Sequence, residues 1–201
     1  MSCKKHITEK SCRRNGKKAE NLTLTDIIRL YREEYFSVLE DELGKFKKIY
    51  KAPKLKELIR AAASGKDPET GKKMPHQSRF PAEALLQQWA EVLPDAVAEI
   101  KNCSTFQQLH DLIKEKRLKG IGPLTCYDTA LRIGYALGFP PKETVYLHAG
   151  AQLPGESKKP DGCVKKGELL GELAALPAYH IENLLCIYKN ELASIGSLRK
   201  K

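Results

Sequence analysis

The stretch LKGIGPLTCYDTALRIG, residues 118–134, decides the fold because two glycines stand immediately before a helical pattern. Gly120 and Gly122 have no side chain, so they permit a positive φ and let another molecule approach the main-chain amides. Pro123 fits the first turn of a helix, where a missing N–H leaves no hydrogen bond unmade. The stretch therefore predicts a tight turn followed by the N-terminus of a helix.

The N-terminus of that helix is a predicted binding site for anions. Its first N–H groups have no partner within the helix, and the helix dipole adds a partial positive charge. Basic side chains crowd the same turn, and they attract a nucleic-acid backbone whatever its sequence. We expect phosphate contacts from Lys116, Arg117, Lys119, Gly120, Ile121, Gly122 and Thr125.

The composition of the chain agrees with a polyanionic partner. The 201 residues include 35 Lys and Arg against 25 Asp and Glu, a formal net charge of +10. Such an excess favours nucleic acid first and an anionic membrane surface second. No run approaches the ~20 apolar residues of a membrane span, and no apolar segment of a secretion signal precedes the domain. We expect a cytoplasmic monomer that binds duplex DNA and does not enter a membrane.

The fold class that the apolar spacing predicts is all-α. We expect a disordered basic arm over residues 1–20 and one helical, bundle-like domain over 21–201, with its hairpin at 106–138. No segment shows the alternation of a strand, and residues 64–80 and 154–167 have the composition of loops. Further helices are predicted over residues 26–43, 54–63, 81–100, 169–176 and 181–192, and another from residue 105 into the basic cluster at 114–120.

Local signals mark the ends of several of these helices. Thr25 is a predicted N-cap, and residues 104–107 have the Ser-x-x-Gln form of a capping box. Gly44 is expected to end or bend the first helix, and Gly138 to close the helix that follows the turn.

The cysteines give no indication of a metal or of disulfides. Six cysteines occur without a C-x-x-C pair, which argues against a zinc knuckle and, in a cytosolic chain, against disulfides. Cys3, His6 and Cys12 supply three potential ligands, but a tetrahedral structural site normally needs four. We expect free thiols, no metal and no cofactor.

The turn and its flanking residues resemble the helix-hairpin-helix DNA-binding motif. The resemblance lies in apolar Leu118, Gly120, apolar Ile121, Gly122 and Pro123, followed by Ala130 and Leu131 at helix-packing positions. Downstream, VYLHA at residues 145–149 is similar to the Val-Asp-Thr-His-Val segment of the helix-hairpin-helix DNA glycosylase superfamily. Residues 105–150 thus resemble the hairpin and active-site portion of a glycosylase, which implies excision of altered bases from duplex DNA.

Two positions depart from the family pattern. The nucleophilic lysine of glycosylases that also cleave the backbone corresponds here to Leu124, and the family aspartate corresponds to Tyr146. Two functions therefore stay open: a monofunctional glycosylase that uses other groups, and a non-catalytic DNA-binding or accessory protein. A protein-interaction module is a third, which the positive charge disfavours.

Three residues near the hairpin are candidates for catalysis. Asp128 is the nearest acid and could stabilise a cationic sugar, although its spacing also fits an ion pair with Arg132. His148 could orient a water or touch a phosphate, and Tyr146 could stack on a base, although either could equally be structural.

A separate candidate lies in the loop before the third predicted helix. His76, Gln77 and Arg79 place an imidazole, an amide and a guanidinium close together. Gln can bind the edge of an exposed base and Arg a phosphate. The alternative is a solvated loop at the start of a helix.

Overall fold

Helices form most of the structure, a computed structural model that describes residues 22–50, 54–74, 83–148, 150–156 and 162–200. The predicted arm and the predicted binding residues His76, Gln77 and Arg79 lie outside these residues. The helices are α1 (Leu24–Tyr31), α2 (Ser37–Ile49), α3 (Leu55–Ala63), α4 (Glu83–Val92), α5 (Val97–Asn102), α6 (Phe106–Glu115), α7 (Pro123–Leu137), α8 (Gly171–Ala174), α9 (Ala178–Ile187) and α10 (Lys189–Leu192). No helix within the described ranges is both long and apolar enough to cross a membrane.

The first helix begins earlier and continues further than predicted. Its N-cap is Thr23, whose hydroxyl accepts a hydrogen bond from the N–H of Asp26 while the Asp26 carboxylate accepts one from the Thr23 N–H. A π-helical turn, Arg32–Phe36, joins α1 to α2, and α2 passes through Gly44. The prediction that Gly44 ends or bends the helix overlooked Phe46, which is fully buried and holds the last turns against the core.

The two helices around the glycine turn are α6 and α7. The capping interaction of α6 lies one residue later than predicted: Thr105 accepts from the N–H of Gln108, whose side chain accepts from the N–H of Ser104. Gly138 ends α7 in the left-handed conformation, with φ of 92°, as predicted. Such an end suits glycine because a Cβ there is strained.

A small sheet corrects the all-α prediction to a mainly helical fold. Strands β1 (Thr144–Leu147) and β2 (Gly162–Lys165) pair antiparallel, with Val145 opposite Val164. The sequence TVYL shows no alternation of polar and apolar residues because both faces of β1 are buried. Val145 and Leu147 pack into one hydrophobic cluster, whereas Tyr146 packs into another.

These two clusters are the cores of the molecule. The helical core lies among α2 to α7 and contains Trp89 and Tyr127. The mixed core lies among α1, the sheet and α8 to α10. Tyr146 on β1 and Tyr179 on α9 belong to the helical core although their neighbours in sequence belong to the mixed core. Strand β1 and helix α9 therefore form the boundary between the two cores.

Candidate functional site

The turn between α6 and α7 has the positive φ that its glycines permit at Gly120 but not at Gly122. The N–H of Ile121 donates to the carbonyl of Leu118 at 3.0 Å, and Gly120 has a φ of 99°. This combination is typical of a type II turn, whose third residue favours glycine. Gly122, with extended backbone, is the N-cap of α7.

The turn presents some of the predicted phosphate-binding residues and buries others. Arg117, Lys119 and Gly120 are exposed, whereas the side chains of Ile121 and Thr125 are buried. The N–H of Ile121 is used within the turn. The N–H groups of Leu124 and Thr125, in the first turn of α7, have no acceptor within the helix. Of the predicted phosphate-binding groups, the exposed cations and the N–H groups at the start of α7 therefore remain candidates.

The basic side chains around the turn differ in their partners. Lys116 forms an ion pair with Glu99 at 2.9 Å, and this hydrogen bond raises the pKa of Lys116. Within the described residues, neither Arg117 nor Lys119 forms an ion pair. The charges of these two exposed side chains are therefore not neutralised by a carboxylate in the part of the chain that the structure describes.

A small pocket opens beside the N-terminus of α7. It is lined by His110, Pro123, Tyr127, Tyr146, Leu147, His148 and Gly162 and has a volume of about 20 Å³. The lining brings together α6, α7 and both strands at the boundary between the cores. Pro123 is the first residue of α7, so the pocket and the glycine turn adjoin. Two of the predicted catalytic residues, Tyr146 and His148, thus lie in one pocket.

His148 is held in one orientation by two hydrogen bonds. Its Nδ1 accepts from the N–H of Gly150 at 3.2 Å, and its Nε2 is bonded to the Glu182 carboxylate. An Nδ1 that accepts leaves the ring proton on Nε2, so the neutral imidazole donates to Glu182. Both side chains are buried. His148 therefore forms part of the pocket wall, with a carboxylate behind it.

Three aromatic rings, of His110, Tyr127 and Tyr146, form another part of the pocket wall. The ring centroids of His110 and Tyr146 lie 4.9 Å apart, and those of Tyr127 and Tyr146 lie 5.7 Å apart. The Tyr146 hydroxyl donates to the side-chain oxygen of Gln107 at 2.6 Å, which fixes the edge of that ring. Aromatic rings in such edge and tilted contacts give a rigid surface.

Asp128 lies apart from this pocket. Its carboxylate is 4.0 Å from Arg132, and both side chains are buried. Arg132 also donates to the carbonyl of Ala62 at 3.0 Å. The ion pair that the i, i+4 spacing suggested is present within α7, and the hydrogen bond from Arg132 to Ala62 links α7 to α3. Asp128 does not line the pocket, so the structure does not place it with Tyr146 and His148.

Sequence reasoning missed a second polar cluster, centred on Glu40 of α2. Its carboxylate accepts hydrogen bonds from the hydroxyls of Tyr135 and Tyr179, each at 2.8 Å, and contacts Nε2 of His180 at 2.8 Å. Nδ1 of the same ring is 2.8 Å from the Tyr31 hydroxyl. This cluster joins α1, α2, α7 and α9.

Reasoning from the sequence also missed Tyr127, His110 and Glu182. The one available signal was on α9, where four polar or aromatic side chains stand together in YHIEN, residues 179–183. All of the side chains in that run are buried. Buried polar groups require hydrogen-bond partners. Glu182 finds one in His148, and Tyr179 and His180 find theirs in Glu40.

Comparison of the chain with protein-family models, with curated proteins and with solved structures found no significant match. Inferences about function therefore depend on the geometry of the turn and the pocket.

Proposed function

We propose that this protein binds duplex DNA through phosphates at the glycine turn, as a helix-hairpin-helix protein of the glycosylase type, and presents the adjoining pocket to an altered base. The observation that carries the proposal is the position of Pro123, which begins the phosphate-binding helix terminus and also lines the pocket. A protein that acts on a base must turn it out of the duplex while gripping the backbone beside it, and the edge of such a base would meet the pocket next to the turn.

The charge of the turn supports the DNA-binding half of the proposal. Arg117 and Lys119 are exposed, and the helix terminus adds N–H donors and a positive dipole end. Backbone contacts of this kind hold DNA without reading its sequence. We expect similar affinity for duplexes of different sequence, and an affinity that falls as salt concentration rises.

The binding half is tested with a matched pair of variants. Arg117→Ala with Lys119→Ala removes two cations from the turn. Lys47→Ala with Lys189→Ala removes the same charge from exposed positions on α2 and α10. Fluorescence anisotropy with a labelled duplex should show weakened binding and a flatter salt dependence for the first pair. Equal effects of the two pairs would contradict a role of the turn.

If the protein excises bases, its sequence indicates which nucleophile attacks the sugar. Leu124 cannot form the Schiff base that an amine nucleophile forms, so water must supply the hydroxyl that replaces the base on the sugar. We expect abasic strands that break only on alkaline heating, and no adduct after borohydride treatment. Strand breaks without alkali would instead indicate an amine nucleophile.

A non-catalytic DNA binder is the second candidate. The pairing of Asp128 with Arg132 favours it, because that carboxylate is engaged within the fold. Incubation with duplexes that contain assorted modified bases distinguishes the two candidates. Release of any base supports the glycosylase, whereas tight binding without release supports the binder.

A further inference from the structure

We propose that Cys186 is a nucleophilic thiol that His148 and Glu182 activate, and that it is a modification site at which peroxides form a sulfenic acid. The three side chains stand in the order nucleophile, base and carboxylate, the arrangement by which proteins activate a cysteine. This inference goes beyond the proposed function, because it depends on neither bound DNA nor a ligand in the pocket.

Helix α9 and the segment after β1 bring the three side chains together. Glu182 and Cys186 are four residues apart on α9, so they lie on one face of that helix. His148 follows directly after β1, and its Nε2 is bonded to the Glu182 carboxylate. The spacing on α9 therefore places the thiol one helical turn from the carboxylate that orients the imidazole.

Gly150 lets the thiol and the imidazole approach each other. A Cβ at this residue would lie 3.0 Å from Sγ of Cys186, and 3.3 and 3.4 Å from Cε1 and Nδ1 of His148. The sulfur and the ring edge that carries Nδ1 thus border the same small space, and a larger residue at position 150 would stand between them. Nδ1 accepts from the N–H of Gly150, so it carries the lone pair that a base needs.

Two hydrogen bonds of His148 act in opposite directions on proton transfer from the thiol to Nδ1. The Gly150 N–H opposes a proton there, through a neutral hydrogen bond of 3.2 Å. Glu182 favours the imidazolium, because the bond from Nε2 becomes charge-assisted, and such bonds are about twice as strong as neutral ones. Tyr127 packs on the same ring, but burial raises the pKa of its phenol well above the usual value, so it stays uncharged. The thiolate and imidazolium pair is therefore favoured.

The reaction with a peroxide needs no further reagent. The Cys186 thiolate attacks the terminal oxygen of a hydroperoxide, so an S–O bond forms as the O–O bond breaks. The sulfur is oxidised by two electrons and the peroxide is reduced. The proton on Nδ1 of His148 goes to the departing alkoxide or hydroxide, which leaves as alcohol or water. Cys186 is partly exposed, as contact with a small peroxide requires.

Peptide-resolved mass spectrometry of the whole chain tests the activation of the thiol, with Cys103 as the internal control. Cys103 is also partly exposed, but burial, and then Glu99, raises the pKa of its thiol. We expect iodoacetamide at pH 6 to alkylate Cys186 at least about tenfold faster than Cys103. Activation increases the thiolate population about a hundredfold at that pH, and the lower nucleophilicity of such a thiolate offsets about a factor of ten.

Two variants keep the thiol and disturb its activation. Glu182→Gln removes the carboxylate charge, and Gly150→Ala puts a methyl group beside Sγ and the ring. Each should slow alkylation of Cys186 at pH 6 about tenfold, whereas Glu182→Gln should change the rate little at pH 9, where a thiol ionises without help. The alkylation rate of Cys103 and the melting temperature report any general loss of structure.

The peroxide step is tested on the wild-type chain. Hydrogen peroxide followed by dimedone, which labels sulfenic acids, should mark Cys186 and leave Cys103 unmarked.

Three results would count against the proposal, each in a different way. Equal alkylation rates of Cys186 and Cys103 at pH 6 in the wild-type chain would overturn it, whether or not either variant folds. Fast alkylation that a folded Glu182→Gln variant retains would remove His148 and Glu182 from the activation. Fast alkylation without a dimedone adduct would overturn the modification by peroxides. None of these results bears on DNA binding.

Discussion

At the scale of single residues, the two glycines of the turn tolerate different substitutions. Gly120 has a positive φ, and a Cβ there would lie 2.9 Å from Cδ2 of Leu85. Gly122 has an ordinary φ, and no atom lies within 4 Å of the position of a Cβ. A side chain at Gly120 therefore strains the fold, whereas one at Gly122 projects into open space beside the helix terminus.

The variant Gly122→Leu should keep its fold and lose DNA affinity. We expect a stability loss of only about 0.5 kcal/mol, because leucine is a poorer N-cap than glycine. Binding to every duplex should weaken about tenfold, because the side chain keeps phosphate away from the N–H groups of α7. Circular dichroism and anisotropy measure the two effects. Gly120→Ala is the contrasting control, with a stability loss of about 1 kcal/mol or more. Normal binding by Gly122→Leu would remove the helix terminus from the interface.

A single substitution also tests whether Asp128 serves stability or catalysis. Asp128→Asn should lower the free energy of unfolding by about 3 kcal/mol, since it leaves the buried Arg132 guanidinium without its carboxylate. Chemical denaturation measures this loss. The sequence had suggested a catalytic role, needed for excision and not for binding. Lost excision in a variant of unchanged stability would restore that role.

At the scale of elements, the π-helical turn explains how the Glu40 cluster forms. Residues nine apart, such as Tyr31 and Glu40, lie about 180° apart around a regular α-helix of 3.6 residues per turn. The intervening turn Arg32–Phe36 holds more residues per turn, and it rotates the two side chains toward a common side. Both then reach the ring of His180, which stacks on Phe36 at 3.9 Å between centroids.

The Glu40 cluster makes stability depend on pH. Burial alone would raise the pKa of Glu40, but hydrogen bonds from Tyr135, Tyr179 and His180 outweigh it and hold this pKa below its usual 4.5. A carboxyl whose pKa is depressed in the folded state contributes stability that is present above the unfolded pKa and lost as pH falls through the folded one. The contribution is therefore full at neutral pH and disappears below about pH 4.5.

Glu40→Gln should remove that dependence. We expect about 1 to 3 kcal/mol lower stability at pH 7, because an amide cannot accept all three hydrogen bonds, and a smaller further loss on acidification than in wild-type protein. Thermal unfolding between pH 3 and pH 7 measures both. Glu115→Gln, at an exposed position on α6, is the control. If wild-type and Glu40→Gln lost stability in parallel, the cluster would not be the source of the pH dependence.

At the scale of the whole molecule, the basic arm is expected to add to DNA binding through charge alone. Residues 1–20 contain seven Lys and Arg and two Glu. Removal of residues 1–21 should flatten the plot of log affinity against log salt by about 0.9 for each phosphate that the arm neutralises. Anisotropy titrations at several salt concentrations give both slopes. An unchanged slope would show that the arm takes no part in binding.

The sequence predicted those features that depend on neighbouring residues, and it missed those that depend on residues far apart in the chain. The turn at Gly120, the end of α7 at Gly138 and the body of α3 depend on neighbouring residues, and all were predicted. Glu40 and His180 are 140 residues apart in sequence, and His148 and Glu182 are 34 apart. Contacts between residues so far apart produce no repeating pattern in the sequence, so no local signal predicts them. Strand β1 was missed for a related reason, since distant elements bury Val145, Tyr146 and Leu147 on both of its faces.

The division into two cores has a consequence for synthesis on the ribosome. The helical core comes almost entirely from residues 43–136, so it can collapse as soon as α7 emerges. The apolar face of α1, with Ile27, Ile28 and Tyr31, belongs to the mixed core, whose other buried residues lie between Val145 and Leu198. At about 5–20 residues per second, synthesis from Tyr31 to Leu198 takes roughly 8 to 33 seconds. During that interval the nascent chain exposes this face, and chaperones have access to it before the second core closes.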